Sequence, residues 1–288
     1  MKQCTDFIFT LKASQYKGEP FESARKILAS LGNPERKTKF IHFAGSNGKG
    51  STLNATREIL MNHGLTVGAF ISPHLERANE RVTINKQQIS DDDFVYYANE
   101  VVRVVDQELG GKFPSFFEFV TLIMFQYFAK QKVDVALIET GIGGRLDSTN
   151  VLVPEVSVIT TVSLEHTDML GNTFAQVASE KAGIIKEHKP VVVGVRNGEA
   201  RSVICEIAKN KKAPLYMLDD IIHIHKNEAH QTFTYEALGR RLDDVKVKMA
   251  GGHQLDNAAL AITAALLFDP TIGDDVIRHS LRTASWDG

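Results

Sequence analysis

The sequence predicts an α/β protein on a doubly wound, mostly parallel sheet, with a small antiparallel β flap added late in the chain. Three observations carry that expectation. Short β-branched segments are apolar at nearly every position, as strands covered on both faces must be. Helix-like segments separate them, and such alternation closes into a parallel sheet through right-handed crossovers. After Val195 the texture changes to shorter, more polar strands broken by turn residues.

The predicted strands are KFIHFA (Lys39–Ala44), TVGAFI (Thr66–Ile71), VDVALIE (Val133–Glu139), VSVITTV (Val156–Val162) and PVVVGV (Pro190–Val195). STLNATREILMNHG (Ser51–Gly64) has a hydroxyl start and a glycine stop, which reads as a helix. FEFVTLIMFQYFAKQK (Phe117–Lys132) is apolar around most of its surface, as a buried helix is. KAPLYMLDD and the segments after it read as short polar strands, with Ile221–Met249 as the flap and turns at Lys226–Glu228 and Gly239. GGHQLDNAALAITAALLF (Gly251–Phe268) reads as a loop entering a helix.

The 288 residues suffice for one large domain or two modest ones, and 43% hydrophobic with 24% charged residues is ordinary for a soluble globular protein. A net charge of −2 and a pI near 6.6 argue against a nucleic-acid partner, and no Lys/Arg block suggests a membrane surface. Cys4 and Cys205 lie far apart without metal-type spacing, as in a reduced intracellular protein. The opening MKQCTDFIFTLKAS lacks the apolar core of a signal peptide. The longest apolar run, Ala258–Phe268, is too short to span a bilayer. The expectation is a cytoplasmic protein with small-molecule substrates, no nucleic acid and no membrane.

Ligands of open parallel sheets bind outside the carboxyl ends of the strands. After the first strand comes GSNGKGST (Gly45–Thr52), which opens a helix. After the second comes SPHLERANERVTIN, after the third ETGIGGRLDSTN, and after the fourth SLEHTDMLG. If these strands are neighbours, four polar loops converge on one crevice. The first loop departs from G-x-x-x-x-G-K-[ST]: Gly45 stands too close to Gly48, and Gly50 separates Lys49 from Ser51. Its context still suits phosphate, since glycines admit backbone N–H groups to an anion at a helix N-terminus. Lys49 would neutralise phosphate charge, and Ser51 or Thr52 could reach magnesium. A plain βα turn with a solvated lysine is the alternative.

Glu139 ends an apolar strand, where a carboxylate either holds magnesium or is simply solvated. His166 and Ser72 taken singly read as ordinary loop residues, and their shared placement at strand ends is what raises them. Lys181, in ASEKAGIIKEHKP, sits in a small apolar setting beside Glu180. It is either a snorkelling helix lysine or a desolvated, modifiable amine.

GSNGKGST, SPHL, ERVTI, ETGIGGRLDSTN, SLEHTDMLG, SEKAGIIK and GGHQLDNAALA occur in this order. Together they resemble the folylpolyglutamate synthase/dihydrofolate synthase family, relatives of the Mur ligases, from about Leu28 to the last residue. The glycine after the lysine in GKGS is typical of the folate branch, so the odd spacing is itself a family mark. The resemblance implies ATP-dependent amide ligation of L-glutamate to a folate or dihydropteroate carboxylate through an acyl phosphate. It implies ATP and Mg2+ as cofactors and a monomer. Gly45, Ser46, Asn47, Gly48, Lys49, Gly50, Ser51 and Thr52 would cradle the phosphates, with Lys49 on the transferring group. Ser51, Ser72, Glu139, His166 and Lys181 would serve magnesium, Lys181 as a carbamate. Lys49, Lys181 and His166 form the implied catalytic set. Gln254 and Asn257 match an adenine-contacting loop. Phe117 and Asp147 match positions near the pterin, and Arg81 lies in a segment resembling a mobile loop beside the folate pocket.

Family members continue into a second α/β domain after a W-P-G-R-like linker. This sequence ends at Trp286-Asp287-Gly288, with Asp287 in place of the proline. The expectation is therefore an N-terminal ATP-binding unit, residues 1–288, without the glutamate-binding domain. Domain closure normally shields an acyl phosphate from water, so weak nucleotide binding and poor ligation are expected. The alternatives are a Mur-type peptidoglycan-precursor ligase, against which GKGS and LGNP (Leu31–Pro34) speak, or a non-catalytic nucleotide-binding remnant.

Overall fold

The structure is a computed structural model that describes residues 2–11, 14, 15 and 17–284. The Trp286-Asp287-Gly288 segment lies outside the described residues. Two helices, α1 (Lys2–Phe9) and α2 (Glu22–Ser30), precede the first strand, β1 (Phe40–Ala44). Then follow α3 (Lys49–Asn62), β2 (Val67–Phe70), the short pair β3 (Val82–Ile84) and β4 (Gln87–Gln88), α4 (Asp91–Leu109), α5 (Phe116–Gln131) and β5 (Val135–Glu139). The second half carries β6 (Val156–Ile159), α6 (Thr167–Leu170), α7 (Phe174–Ala182), β7 (Val191–Val193), α8 (Gly198–Asn210) and β8 (Leu215–Met217). It closes with β9 (His223–Asn227), β10 (Thr232–Ala237), β11 (Arg240–Lys246), α9 (Gly252–Phe268) and α10 (Asp274–Thr283).

Eight strands form one sheet in the order β4-β3-β2-β5-β1-β6-β7-β8. The six from β2 to β8 are parallel, and β3 and β4 add antiparallel at one edge. Every β1, β2, β5, β6 and β7 residue is buried, which explains why these segments carry no polar alternation. Ile41, Phe43, Leu137 and Val158 point into a core shared with α3, α9, α10 and the flap. Phe40, Phe70 and Ile138 face α1, α2, α4 and α5 on the other side, and Ala44, Ile159 and Val193 face α7 and α8 there. Each fully buried Ile, Phe or Val contributes about 1.5–3 kcal/mol by leaving water, so alternate residues of β1 tie both layers to the strand that carries the first glycine loop.

The flap is the expected one: β9, β10 and β11 form a separate antiparallel sheet. Leu215–Met217, read in sequence as a short polar strand ahead of the flap, pairs parallel with β7 at the edge of the main sheet. The cause is α8, an amphipathic crossover opened by the Asn197 side chain, which accepts from Ala200 N–H. An edge strand half open to water needs fewer apolar residues than β1, so its composition looks polar. The segment after β2 is also more regular than a loop. The Glu80 carboxylate accepts from the N–H groups of Leu75, Glu76 and Arg77 at 2.7, 3.0 and 2.6 Å, and β3 follows directly.

Candidate active site

The strands β2, β5, β1 and β6 are four consecutive neighbours, so their carboxyl-end loops do share one crevice. The chain leaves β1 toward β2 and returns through β5, then crosses to β6 on the other side. That reversal is the topological switch point at which open α/β sheets bind ligands. A cavity of about 800 Å³ opens there, lined by Gly45, Ser46, Lys49, Ser72, Arg81, Phe117, the Thr140–Ser148 loop, Glu165, His166 and Lys181.

The first loop is built for close backbone approach. A Cβ on Gly45 would lie 1.9 Å from Thr160 Oγ1. Gly48 caps α3 with φ 83°, and a Cβ there would lie 2.6 Å from Asn257 Oδ1. Ser46 N–H donates to Thr161 O at 2.9 Å and Asn47 N–H to Thr161 Oγ1 at 2.9 Å, while Thr160 Oγ1 donates to Asn47 O at 2.6 Å. The end of β6 therefore clamps the loop, a role the sequence did not signal because threonines also suit strands. Helix α3 begins at Lys49, two residues before the hydroxyl start expected from sequence. The first N–H groups of such a helix have no partner within it, and its N-terminus favours an anion. Lys49 Nζ donates to Gly45 O at 2.8 Å and lies 3.9 Å from Glu139 Oε1.

Ser51 is partly exposed and accepts from Gln254 Nε2 at 3.3 Å, and Asn257 Nδ2 donates to Gln254 Oε1 at 3.0 Å. The start of α9 thus stands over the phosphate loop. Gly50 lies in the first turn of α3. Of the two hydroxyls, Thr52 is fully buried with no hydrogen-bond partner, and Ser51 is partly exposed.

Glu139 is nearly closed off from solvent, and burial raises its carboxyl pKa to about 7 against the pull of Lys49, the Ser72 N–H and Arg81, with Asp147 adding to the rise. Ser72 N–H donates to Glu139 Oε2 at 3.4 Å. His166 is exposed at the cavity edge and caps α6 with φ 44°. Lys181 is buried to 1% of its side chain and donates to Glu165 Oε1 at 2.7 Å. Burial lowers the Lys181 pKa, opposed by Glu165 and assisted by Lys49. Burial alone would raise the Glu165 carboxyl, but the Lys181 hydrogen bond and charge, with Ser46 and Lys49, bring it below its usual value. Glu165 stands in SLEHTDMLG, and nothing in the sequence marked it as the partner of Lys181.

Among the described residues no three or more His, Cys, Asp or Glu side chains are gathered to hold a metal ion. Magnesium does not require such a cage, because it keeps waters and uses one or two carboxylates plus phosphate oxygens. Glu139, buried 3.9 Å from Lys49, could supply one such carboxylate when ionised.

The three expected substrate residues are brought together. Arg81 is buried, donates through Nε to His74 Nδ1 at 2.7 Å, and stacks its guanidinium 5.2 and 5.8 Å from the Phe116 and Phe117 rings. The Phe117 ring packs on Gly141, where a Cβ would approach to 2.9 Å. Asp147 is buried in the wall of the cavity, and its carboxylate is occupied by its own loop. Arg145, exposed on the wall, pairs with Glu180 at 2.8 Å.

A family profile described as the Mur ligase middle domain matches residues 116–265. The chain is 40% identical over 275 residues to the dihydrofolate synthase/folylpolyglutamate synthase of Bacillus subtilis, covering 92% of this chain and 64% of that protein. It is 38% identical to the folylpolyglutamate synthase of Lacticaseibacillus casei, 63% of which it covers. The chain therefore spans slightly under two thirds of these relatives. The fold matches the apo form of the L. casei enzyme with a TM-score of 0.92 at 33% identity, covering 99% of this chain and 72% of that one. It matches a folylpolyglutamate synthase complex with AMPPCP and folate with a TM-score of 0.90 at 34% identity and the same coverage.

Proposed function

Because the chain belongs to the folylpolyglutamate synthase/dihydrofolate synthase family of Mur ligases, we propose that residues 1–288 act as the ATP-binding unit of a ligase joining L-glutamate to a folate or dihydropteroate carboxylate. The observation that carries this reading is the meeting of the phosphate loop with Glu139. Lys49 stands 3.9 Å from a buried carboxylate at the mouth of four adjacent strands.

In this reading the acceptor carboxylate attacks the γ-phosphorus of ATP. The new O–P bond forms as the bond to ADP breaks, giving an acyl phosphate. The amine of glutamate then attacks the acyl carbon, phosphate leaves, and the amine gives up a proton. Such chemistry needs positioning and charge neutralisation more than covalent help. The Gly45–Ser51 backbone cradles the phosphates, Lys49 balances charge on the transferring group, and Gln254 with Asn257 borders the base. Ser51, Ser72, Glu139 and His166 would hold magnesium, with Lys181 as a carbamate. Bound there, the ion would neutralise charge on the phosphates. Burial favours the unprotonated Lys181 amine that carbamylation requires. Arg81 and Phe117 line the acceptor side. Among the described residues no helix is long and apolar enough to cross a membrane, and we place the protein in the cytoplasm as a monomer acting on small molecules.

The test is competitive. With AMPPCP and magnesium present, dihydropteroate or tetrahydrofolate should bind this chain, and a UDP-sugar peptide should neither bind nor displace it. Binding of the UDP-sugar peptide alone would assign the site to a peptidoglycan-precursor ligase instead.

A further inference from the structure

The cavity wall at Gly141 and Ile142 is held from behind. The Asp147 carboxylate accepts from the N–H of Gly141 at 2.8 Å and of Ile142 at 3.1 Å through Oδ2. Through Oδ1 it accepts from the N–H of Thr149 at 3.0 Å and from its hydroxyl at 2.5 Å. An ionised carboxylate offers about four acceptor positions, and its own loop fills them all. Asp147 therefore acts on a ligand through the wall it organises.

Thr149 has one hydroxyl proton, and it goes to Asp147. His42 Nε2 lies 2.8 Å from the same Thr149 Oγ1, so His42 must donate. That puts a proton on Nε2, and complete burial keeps the imidazole neutral. His42 sits in the middle of β1, fully buried, opposite Ile138 and Ser157. Its Nδ1 has no partner. An apolar residue, as at Phe40 and Ala44 on the same face, would fill this position without burying an unpaired acceptor. The bond to Thr149 is what distinguishes histidine here. The same strand runs four residues further into Ser46 of the phosphate loop.

We propose that His42 is a positioning residue that acts through Thr149 and Asp147 to set the Gly141–Ile142 wall in register with the phosphate loop. Only the identity of the ligand against that wall, a folate-type acceptor, rests on the function proposed above.

Hydrogen exchange at individual amides of the intact chain tests this without any ligand. In Thr149→Val and in His42→Leu, the Gly141 and Ile142 amides should exchange about tenfold faster or more, as loss of one buried hydrogen bond implies. Ser46 and Asn47, held by Thr161, should be unchanged. Thr149→Ser and His42→Gln, which keep a hydroxyl and a donor, should restore protection. The two disruptive variants should also bind tetrahydrofolate about tenfold more weakly with AMPPCP present, at unchanged AMPPCP affinity. Unaltered exchange at Gly141 and Ile142 overturns the proposal, as does an equal rise at Ser46 and Asn47, which marks general loosening. If the variants show this exchange pattern and the wild-type chain binds no folate, the wall assignment stands and the folate reading fails.

Discussion

Glu139 and His42 are both buried within the same sheet and titrate with opposite consequences. Burial lifts the Glu139 carboxyl from 4.5 to about 7. The folded chain then holds that proton more tightly than the unfolded chain. The resulting stability is fully present below 4.5 and is lost as pH rises through about 7. His42 runs the other way, lowered from 6.5 to about 3 by burial and by Lys186. Its contribution is fully present above 6.5 and is lost as pH falls toward 3. Urea unfolding of wild type, Glu139→Gln and His42→Gln across pH 4 to 8 separates the two. Relative to wild type, Glu139→Gln should gain stability as pH rises from about 5 to 7, and His42→Gln should gain it as pH falls from about 6 to 4. Each change should approach about 1.4 kcal/mol per unit. Parallel curves for all three proteins would mean that neither group is held as described. Sequence pattern raised Glu139 only through its placement at a strand end shared with Ser72 and His166. It was silent on His42, which reads as one more residue of KFIHFA until Thr149 is seen beside it.

The glycine loop and α7 pack backbone against backbone, and this contact seats Lys181. A Cβ on Gly183 would lie 2.3 Å from Arg145 Cα, and one on Gly144 would lie 2.9 Å from the carbonyls of Glu180 and Lys181. Gly183→Ala should therefore cost about 1–3 kcal/mol in chemical denaturation, by overpacking a contact that cannot open locally. Gly198→Ala, at the start of α8 with open space around it, should stay within about 0.5 kcal/mol. Equal effects of the two substitutions would contradict the close packing of α7. Gly45→Ala meets Thr160 and should abolish nucleotide binding more completely than it unfolds the chain, since the clash lies in the loop itself. At this scale the glycines of GSNGKGST and ETGIGGRLDSTN were legible as turns. Their partners Thr160, Thr161, Arg145 and Gly183 were not, because a missing Cβ does not state what occupies its place. The edge strand β8 was legible as a strand in KAPLYMLDD, but its place in the main sheet was not, because partial exposure gives it a composition like that of the flap strands.

Strand order decides whether the molecule has a site at all. The apolar strands could be read one by one, and so could the loops that follow them. Their adjacency could not, because every buried strand looks alike to its neighbours in sequence. The observed run β2-β5-β1-β6 places Ser72, Lys49 and His166 around one cavity, with Glu139 buried beside Lys49 and Ser72 and Lys181 delivered from the helix beyond. Titration calorimetry with ATP, with and without magnesium, on the wild-type chain and on Lys49→Ala is the most direct test of that claim. The account predicts one magnesium-dependent site per chain, weakened by roughly 10- to 100-fold in Lys49→Ala, as losing a charged contact to phosphate implies. Nucleotide binding that ignores magnesium and survives Lys49→Ala would contradict it.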